Sequence, residues 1–183
     1  MGGKIDRDLS GNRQLFRHIK SQSDLFVDIF QRLAEEFPQD KLLEFHPRSK
    51  GTKVSKGYRL ENCPYEVLDL VRDFDPKKGF NIRILQWWGH GLYLFVQFGS
   101  ENSLGSMMPV KNMAGFFTSD HPDPWDYRQI LATKKRQEGP MLKGKFNHNQ
   151  FFQIFKEIEL HEDPNKLITD LKREILLIMD NHY

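Results

Sequence analysis

The chain has 183 residues, of which 38% are hydrophobic, with 15 Phe, 5 Tyr and 3 Trp. That is enough apolar material for a real core, and it excludes disorder as the answer. A formal net charge of +2 creates no strong field for polyanions. The single cysteine, Cys63, excludes an internal disulfide or a multi-cysteine zinc site and suits a reducing, cytoplasmic setting.

No apolar run approaches the ~20 residues that a bilayer crossing needs, so no membrane partner is expected. With no Ser/Gly/Pro-rich linker, residues 1–183 are expected to form one domain. Residues 1–11 are polar and Gly-rich and read as a mobile tail.

From Asn12 to Phe37, Leu15, Phe16, Ile19, Phe26, Val27, Ile29, Phe30, Leu33 and Phe37 recur at helical spacing. Ser21-Gln22-Ser23-Asp24 interrupts the pattern with cap-forming residues, leaving two helices or one kinked helix open. Lys41–His46 and Thr52–Leu60 read as strands joined by Pro47–Gly51. In the next segment Glu66, Asp69, Arg72 and Asp73 fall at i, i+3, i+6 and i+7, which suits a helix, with a strand as the alternative.

Phe80–Gly99 carries the strongest hairpin signal, two apolar runs broken by Gly89-His90-Gly91. A three-residue loop there sets Trp88 opposite Leu92 and sorts the strands into two faces. Ile82, Ile84, Gln86 and Trp88, with Leu92, Leu94, Val96 and Phe98, form the expected core face. Asn81, Arg83, Leu85 and Trp87, with Tyr93, Phe95 and Gln97, form an aromatic and polar face that is either covered by a helix or used for binding.

The period of Ser100–Ser119 is unreadable. Asp123-Pro124-Trp125-Asp126 predicts a helix start running to about Arg136. Phe151–Ile158 predicts another helix, and Asp163-Pro164 opens a last one along Leu167, Ile168, Leu171, Ile175, Ile178 and Met179. Strands followed by helices indicate an α+β fold, an antiparallel sheet centred on the 80–99 hairpin with helices packed mainly on one face.

Candidate chemistry is sparse. Asp120, His121, Asp123 and Asp126 cluster within seven residues, yet Asp123 and Asp126 are better read as serving a helix N-terminus than as metal ligands. His90 sits between two glycines, either as an acid–base group or, more simply, as a turn residue. Glu44, His46 and His148 have no metal-ligand spacing, and Cys63 has no adjacent group to activate it. Two basic runs stand out, one with Arg48, Lys50, Lys53, Lys56 and Arg59, the other with Arg128, Lys134, Lys135, Arg136, Lys143 and Lys145. Such runs near an aromatic face would suit weak, sequence-independent phosphate or nucleic-acid contact, although most surface lysines only hold water.

No nucleotide, hydrolase or metalloprotease motif occurs, and no cofactor or metal is expected. The leading expectation is a non-catalytic binding module for a ligand or protein partner, using Arg83, Trp87, His90, Tyr93, Phe95 and Gln97. The alternative is an enzyme acting on a phosphorylated or nucleic-acid substrate, with at least two of His46, His90, Asp120 and His121 pointing into one cleft.

Overall fold

A computed structural model describes residues 3–101, 115–119, 121–136 and 152–180. Helices α1 (Arg7–Gly11), α2 (Arg13–Glu35) and α3 (Gln39–Phe45) lead into strands β1 (Lys53–Leu60), β2 (Cys63–Asp73), β3 (Phe80–Trp87) and β4 (Gly91–Phe98). Strand β5 (Phe117–Ser119), helix α4 (Tyr127–Ala132), strands β6 (Lys135–Arg136) and β7 (Phe152–Ile158) and helix α5 (Pro164–Asp180) complete the described chain. The seven strands form one sheet in the order β1-β2-β3-β4-β7-β5-β6, and all of its pairings are antiparallel. Among the described residues no helix is long and apolar enough to cross a membrane.

The α+β architecture and the central hairpin are as expected, with a shifted register. Trp87 lies opposite Gly91, Ile84 opposite Leu94 and Phe80 opposite Phe98, so the three-residue loop is Trp88-Gly89-His90 rather than Gly89-His90-Gly91. Gly89 takes φ +79 in this turn, and the His90 amide donates to the Trp87 carbonyl at 2.9 Å. The slip moves the pairing by two positions in total, an even number, so every side chain stays on its expected face.

The two faces support two cores. One packs Leu68, Leu70, Ile82, Ile84, Leu94 and Val96 against α2, α3 and α5. The other gathers Val67, Leu85, Trp87, Tyr93, Phe95 and Phe155 around Tyr127 and Ile130 of α4. Among the described residues, three helices thus cover one face and a single short one closes part of the other.

Several elements differ from the expectation for identifiable reasons. The segment around Val67–Asp73 is strand, and a bulge between Asp69 and Val71 shifts its alternation by one residue. That extra residue puts Asp69 and Arg72, three apart, on one face as a helix would, whereas Glu66 and Asp73 lie on the other. Residues 152–158 are also strand, because β7 lies between β4 and β5 and buries Phe152 and Ile154 on one face and Phe155 on the other. Conversely, the expected strand at 41–46 is helix α3, with Asp40 in its first turn and Leu42 and Phe45 buried on one side.

Helix α2 continues through Ser21–Asp24 because the cap-forming side chains are engaged elsewhere. Ser21 Oγ donates to the His18 carbonyl at 2.9 Å, Ser23 donates to Glu66, and Asp24 accepts from Lys20 and Lys56 at 2.5 and 3.0 Å. Near the N-terminus, Asp6 caps the short helix α1 by accepting from the Leu9 amide at 2.8 Å. Helix α4 starts after Asp126, which accepts from the Gln129 amide, whereas Asp123 closes a local turn on the Trp125 amide. It ends at Ala132, and Lys135 and Arg136 pair with β5.

Candidate functional site

On the α4 face, antiparallel pairing assembles side chains from different strands into rows. The innermost row is apolar, with Leu85 opposite Tyr93 and Val67 opposite Leu85. The next sets Asp69 opposite Arg83, Arg83 opposite Phe95, Phe95 opposite Phe155 and Phe155 opposite Phe117. One pleat further, Arg72, Asn81, Gln97, Gln153 and Ser119 line up across five neighbouring strands. Arg72 stays in this row because the bulge before it resets the alternation of β2.

Most of the ligand-contact residues expected from sequence are core residues. Trp87 and Phe95 are fully buried and Tyr93 is buried, so these rings do not form an open binding face. Phe95 packs between Tyr127 and Phe155, with ring centroids at 5.0 and 5.4 Å. The Trp87 Nε1 group donates to the Leu60 carbonyl at 3.0 Å. His90 stacks on the Trp87 ring at 3.6 Å, and Tyr93 Oη donates to the His90 carbonyl at 2.8 Å, which makes His90 the turn residue that closes the end of this core. The physical reason is α4, which supplies Tyr127 and Ile130 as a lid over the rings.

Arg83 is likewise committed to protein partners. Its Nε and Nη2 donate to Asp69 Oδ1 and Oδ2 at 2.6 and 3.0 Å, and its Nη1 donates to Tyr127 Oη at 2.7 Å. Trp125 covers the guanidinium at 4.5 Å. Burial works against the Arg83 charge, but Tyr127 and Asp69 outweigh it and hold its pKa above the ordinary arginine value. Burial also pushes the Tyr127 phenol up.

Gln97, by contrast, stands in a row of amides whose hydrogen-bonding capacity is partly unused. Asn81, Gln97, Gln153 and Ser119 are all buried. Asn81 Oδ1 accepts from the Asp73 amide at 2.8 Å, and Gln97 Nε2 donates to the Pro124 carbonyl at 3.4 Å. Yet Asn81 Nδ2, Gln97 Oε1 and both Gln153 amide atoms have no partner among the described residues. On the opposite face the same level of the sheet is aromatic, with Phe80–Phe98 and Phe98–Phe152 centroids at 5.3 and 6.0 Å.

Sequence reasoning found Gln97 and Asn81 on this face but missed Gln153, because 151–158 was read as a helix. The signal was nevertheless present. Phe80-Asn81, Gln97-Phe98 and Phe152-Gln153 each set one amide beside one phenylalanine near the end of an apolar run, as a strand with one polar and one apolar face requires.

The strand-borne cations of the two basic runs lie apart, although Arg128 of the second run pairs with Glu61, two residues from Arg59 of the first. β1 carries Lys53, Lys56 and Arg59, and β6 carries Lys135 and Arg136, at opposite edges of the sheet. Six strand spacings separate these edges by roughly 29 Å. Several of the cations already have partners. Arg48 binds Asp73, Lys56 binds Asp24, Arg128 binds Glu61, and Arg59 and Lys134 lie over the rings of Tyr58 and Phe117. Lys50 contributes its carbonyl to Arg72 at 2.9 Å. Lys143, Lys145, His148 and Asp120 lie outside the described residues.

Nor do the described histidines converge. His46 Nε2 is 2.8 Å from Asp73 Oδ2, and its ring lies beside Phe80 at one end of β3. His90 lies on Trp87 at the other end, a distance of about 23 Å along the strand. His121 Nδ1 is 3.0 Å from the Asp123 carbonyl oxygen within its own loop. Among the described residues no group of three His, Cys, Asp or Glu side chains is placed to hold a metal ion. No protein-family model, no curated protein and no solved structure matches this chain.

Proposed function

We propose that the protein is a non-catalytic binding module whose ligand is held by Asn81, Gln97 and Gln153 on the α4 face of the sheet. The observation that carries this reading is that four of the buried side-chain amide atoms lacking a partner among the described residues lie in this one row. Each such group costs about 1–3 kcal/mol when left unmet, a large sum against the ~5–15 kcal/mol of a typical domain. A ligand that completes these bonds offsets that cost. The enzyme alternative has weaker support, since His46, His90 and His121 engage three separate sets of partners. The lone Cys63 favours a reducing compartment as the setting for this binding.

Crystallography on protein purified under native conditions tests the reading. Density for a molecule larger than water, in contact with at least two of the three amides, is the expected result. A structure in which ordered water alone, or direct amide–amide pairing, satisfies all four atoms would overturn it.

A further inference from the structure

We infer that the free edge of β1, together with the part of α2 that overhangs it, docks an extended acidic segment of a partner protein, which pairs with β1 as a further strand of the sheet. The inference is independent of the amide row.

The apolar stripe of α2 outruns the sheet. Ile29, Phe30 and Leu33 of this helix are buried in the core. Steps of three, four or seven residues carry the same stripe back through Phe26 to Ile19, Phe16 and Leu15. Leu15 and Phe16 are 37% and 53% exposed, so the stripe is open where the helix leaves the fold. Contacts set the direction in which it leaves. Phe26 packs on Trp88, just after β3, Ser23 donates to Glu66 of β2, and Asp24 accepts from Lys56 of β1. The helix therefore steps outward over β2 and β1. Phe16 lies seven residues before Ser23, about 10 Å along the axis, or about two strand spacings. That distance puts Phe16 over the position of a strand added outside β1.

The edge beneath it is free to pair. Among the described residues β1 bonds on one side only, to β2. Alternate amides and carbonyls of such an edge point outward, a template for another strand. Val54, opposite Leu68, faces α2, whereas Lys53 and Ser55, opposite Asp69 and Val67, face the α4 side. A strand added here turns alternate side chains toward the open stripe of α2 and toward Lys53.

Charge selects the occupant. No acid occurs between Phe45 and Leu60 or between Leu9 and Ser23. Lys20 and Lys56 share Asp24, but Lys53, Arg13 and Arg17 are exposed and in no ion pair among the described residues. A second copy would set its own β1 cations against these, and like charges across a strand pair repel. Lysine on an edge deters self-pairing in this way, while it attracts a strand of opposite charge. A nucleic acid would meet the cations but has no strand backbone for the edge. The matching segment alternates apolar residues, for Leu15 and Phe16, with acidic ones.

The test titrates two peptides of eight residues, the length of β1, onto isotope-labelled full-length protein. One alternates valine with glutamate, the other valine with lysine. The glutamate peptide should shift the signals of Leu15, Phe16 and Lys53 and slow hydrogen exchange at alternate β1 amides. The lysine peptide should bind about tenfold more weakly or worse. Lys53→Glu should close most of that gap. Phe16→Gln, at an exposed position, should weaken the glutamate peptide about tenfold while the signals of the sheet stay in place. Equal binding of the two peptides overturns the acidic partner, and no protection of β1 by either overturns the docking edge. Protection of β1 that rises with protein concentration, alongside a dimer in sedimentation, would assign the edge to a second copy instead. An oligothymidylate that protects the same amides as well as the glutamate peptide does would likewise overturn the proposal.

Discussion

Asp73 shows how one residue serves two parts of the molecule. Its Oδ2 accepts from Arg48 Nη2 at 2.6 Å and Nε at 3.0 Å and lies 2.8 Å from His46 Nε2, while Oδ1 accepts from the Asp75 amide at 3.3 Å. Its own amide donates to Asn81 Oδ1, which orients the first member of the amide row. Burial raises its pKa, but the hydrogen bonds from His46 and Arg48 outweigh it and hold the carboxyl below the ordinary aspartate range. A carboxyl lowered by folding contributes stability that is present above its unfolded pKa and is lost as pH falls through its folded pKa. Asp73→Asn should therefore cost about 2–3 kcal/mol at neutral pH. This is less than for a fully buried pair, because the Arg48 side chain is 43% exposed. In urea titrations the gap between wild type and variant should narrow as pH drops below the ordinary aspartate range. A gap constant down to strongly acidic pH would mean that the charge of Asp73 contributes nothing.

At the scale of elements, α4 is only six residues long yet covers the rings of the second core. A helix this short has little stability of its own, so tertiary contacts hold it. Asp126 caps its first turn, Tyr127 and Ile130 are its buried residues, and Tyr127 Oη accepts from the Arg83 guanidinium. Tyr127→Phe keeps the ring and removes that bond, and should cost about 1.5–3 kcal/mol, as for hydrogen bonds to charged groups. Arg83→Met alone strands the buried Asp69 carboxylate and should cost about 3–5 kcal/mol. Arg83→Met with Asp69→Leu should recover most of that loss, because no buried charge then remains unpaired. Thermal melts of this double-mutant cycle provide the check, and a double variant no more stable than Arg83→Met would refute the account.

At the scale of the whole molecule, both cores are built on the same strands, so neither can come apart without exposing the other's support. Adjacent tryptophans report on the two sides. Trp87 is buried in the α4-side core, whereas Trp88 packs edge-on against Phe26 of α2 and donates to Glu66 at 2.8 Å. Urea unfolding followed by fluorescence of the Trp87→Phe and Trp88→Phe variants, each also carrying Trp125→Phe, should give a single transition with a common slope. Different slopes or an intermediate plateau would show that the α4 layer unfolds separately. The wide separation of β1 from β6 keeps the cations on these two strands apart, so charge removal at either edge should affect any weak polyanion binding independently.

The amino-acid sequence by itself determined the α+β class, the hairpin at its centre, the sorting of its side chains between two faces, and the long amphipathic helices at the two ends. These features follow from local periodicity and turn chemistry, which the chain carries regardless of what packs against it. Only the tertiary structure decided what depended on neighbours. Phe152–Ile158 became strand because β4 and β5 flank it, and the period at Glu66–Asp73 was that of a bulged strand. The aromatic face closed because α4 folds across Trp87 and Phe95. The amide row shows the same division. Asn81 and Gln97 were assigned to one face from the hairpin alone, but adding Gln153 required β7 to pair beside β4. No local pattern encodes which distant strands become neighbours, since that choice depends on the burial and hydrogen bonding of the whole sheet.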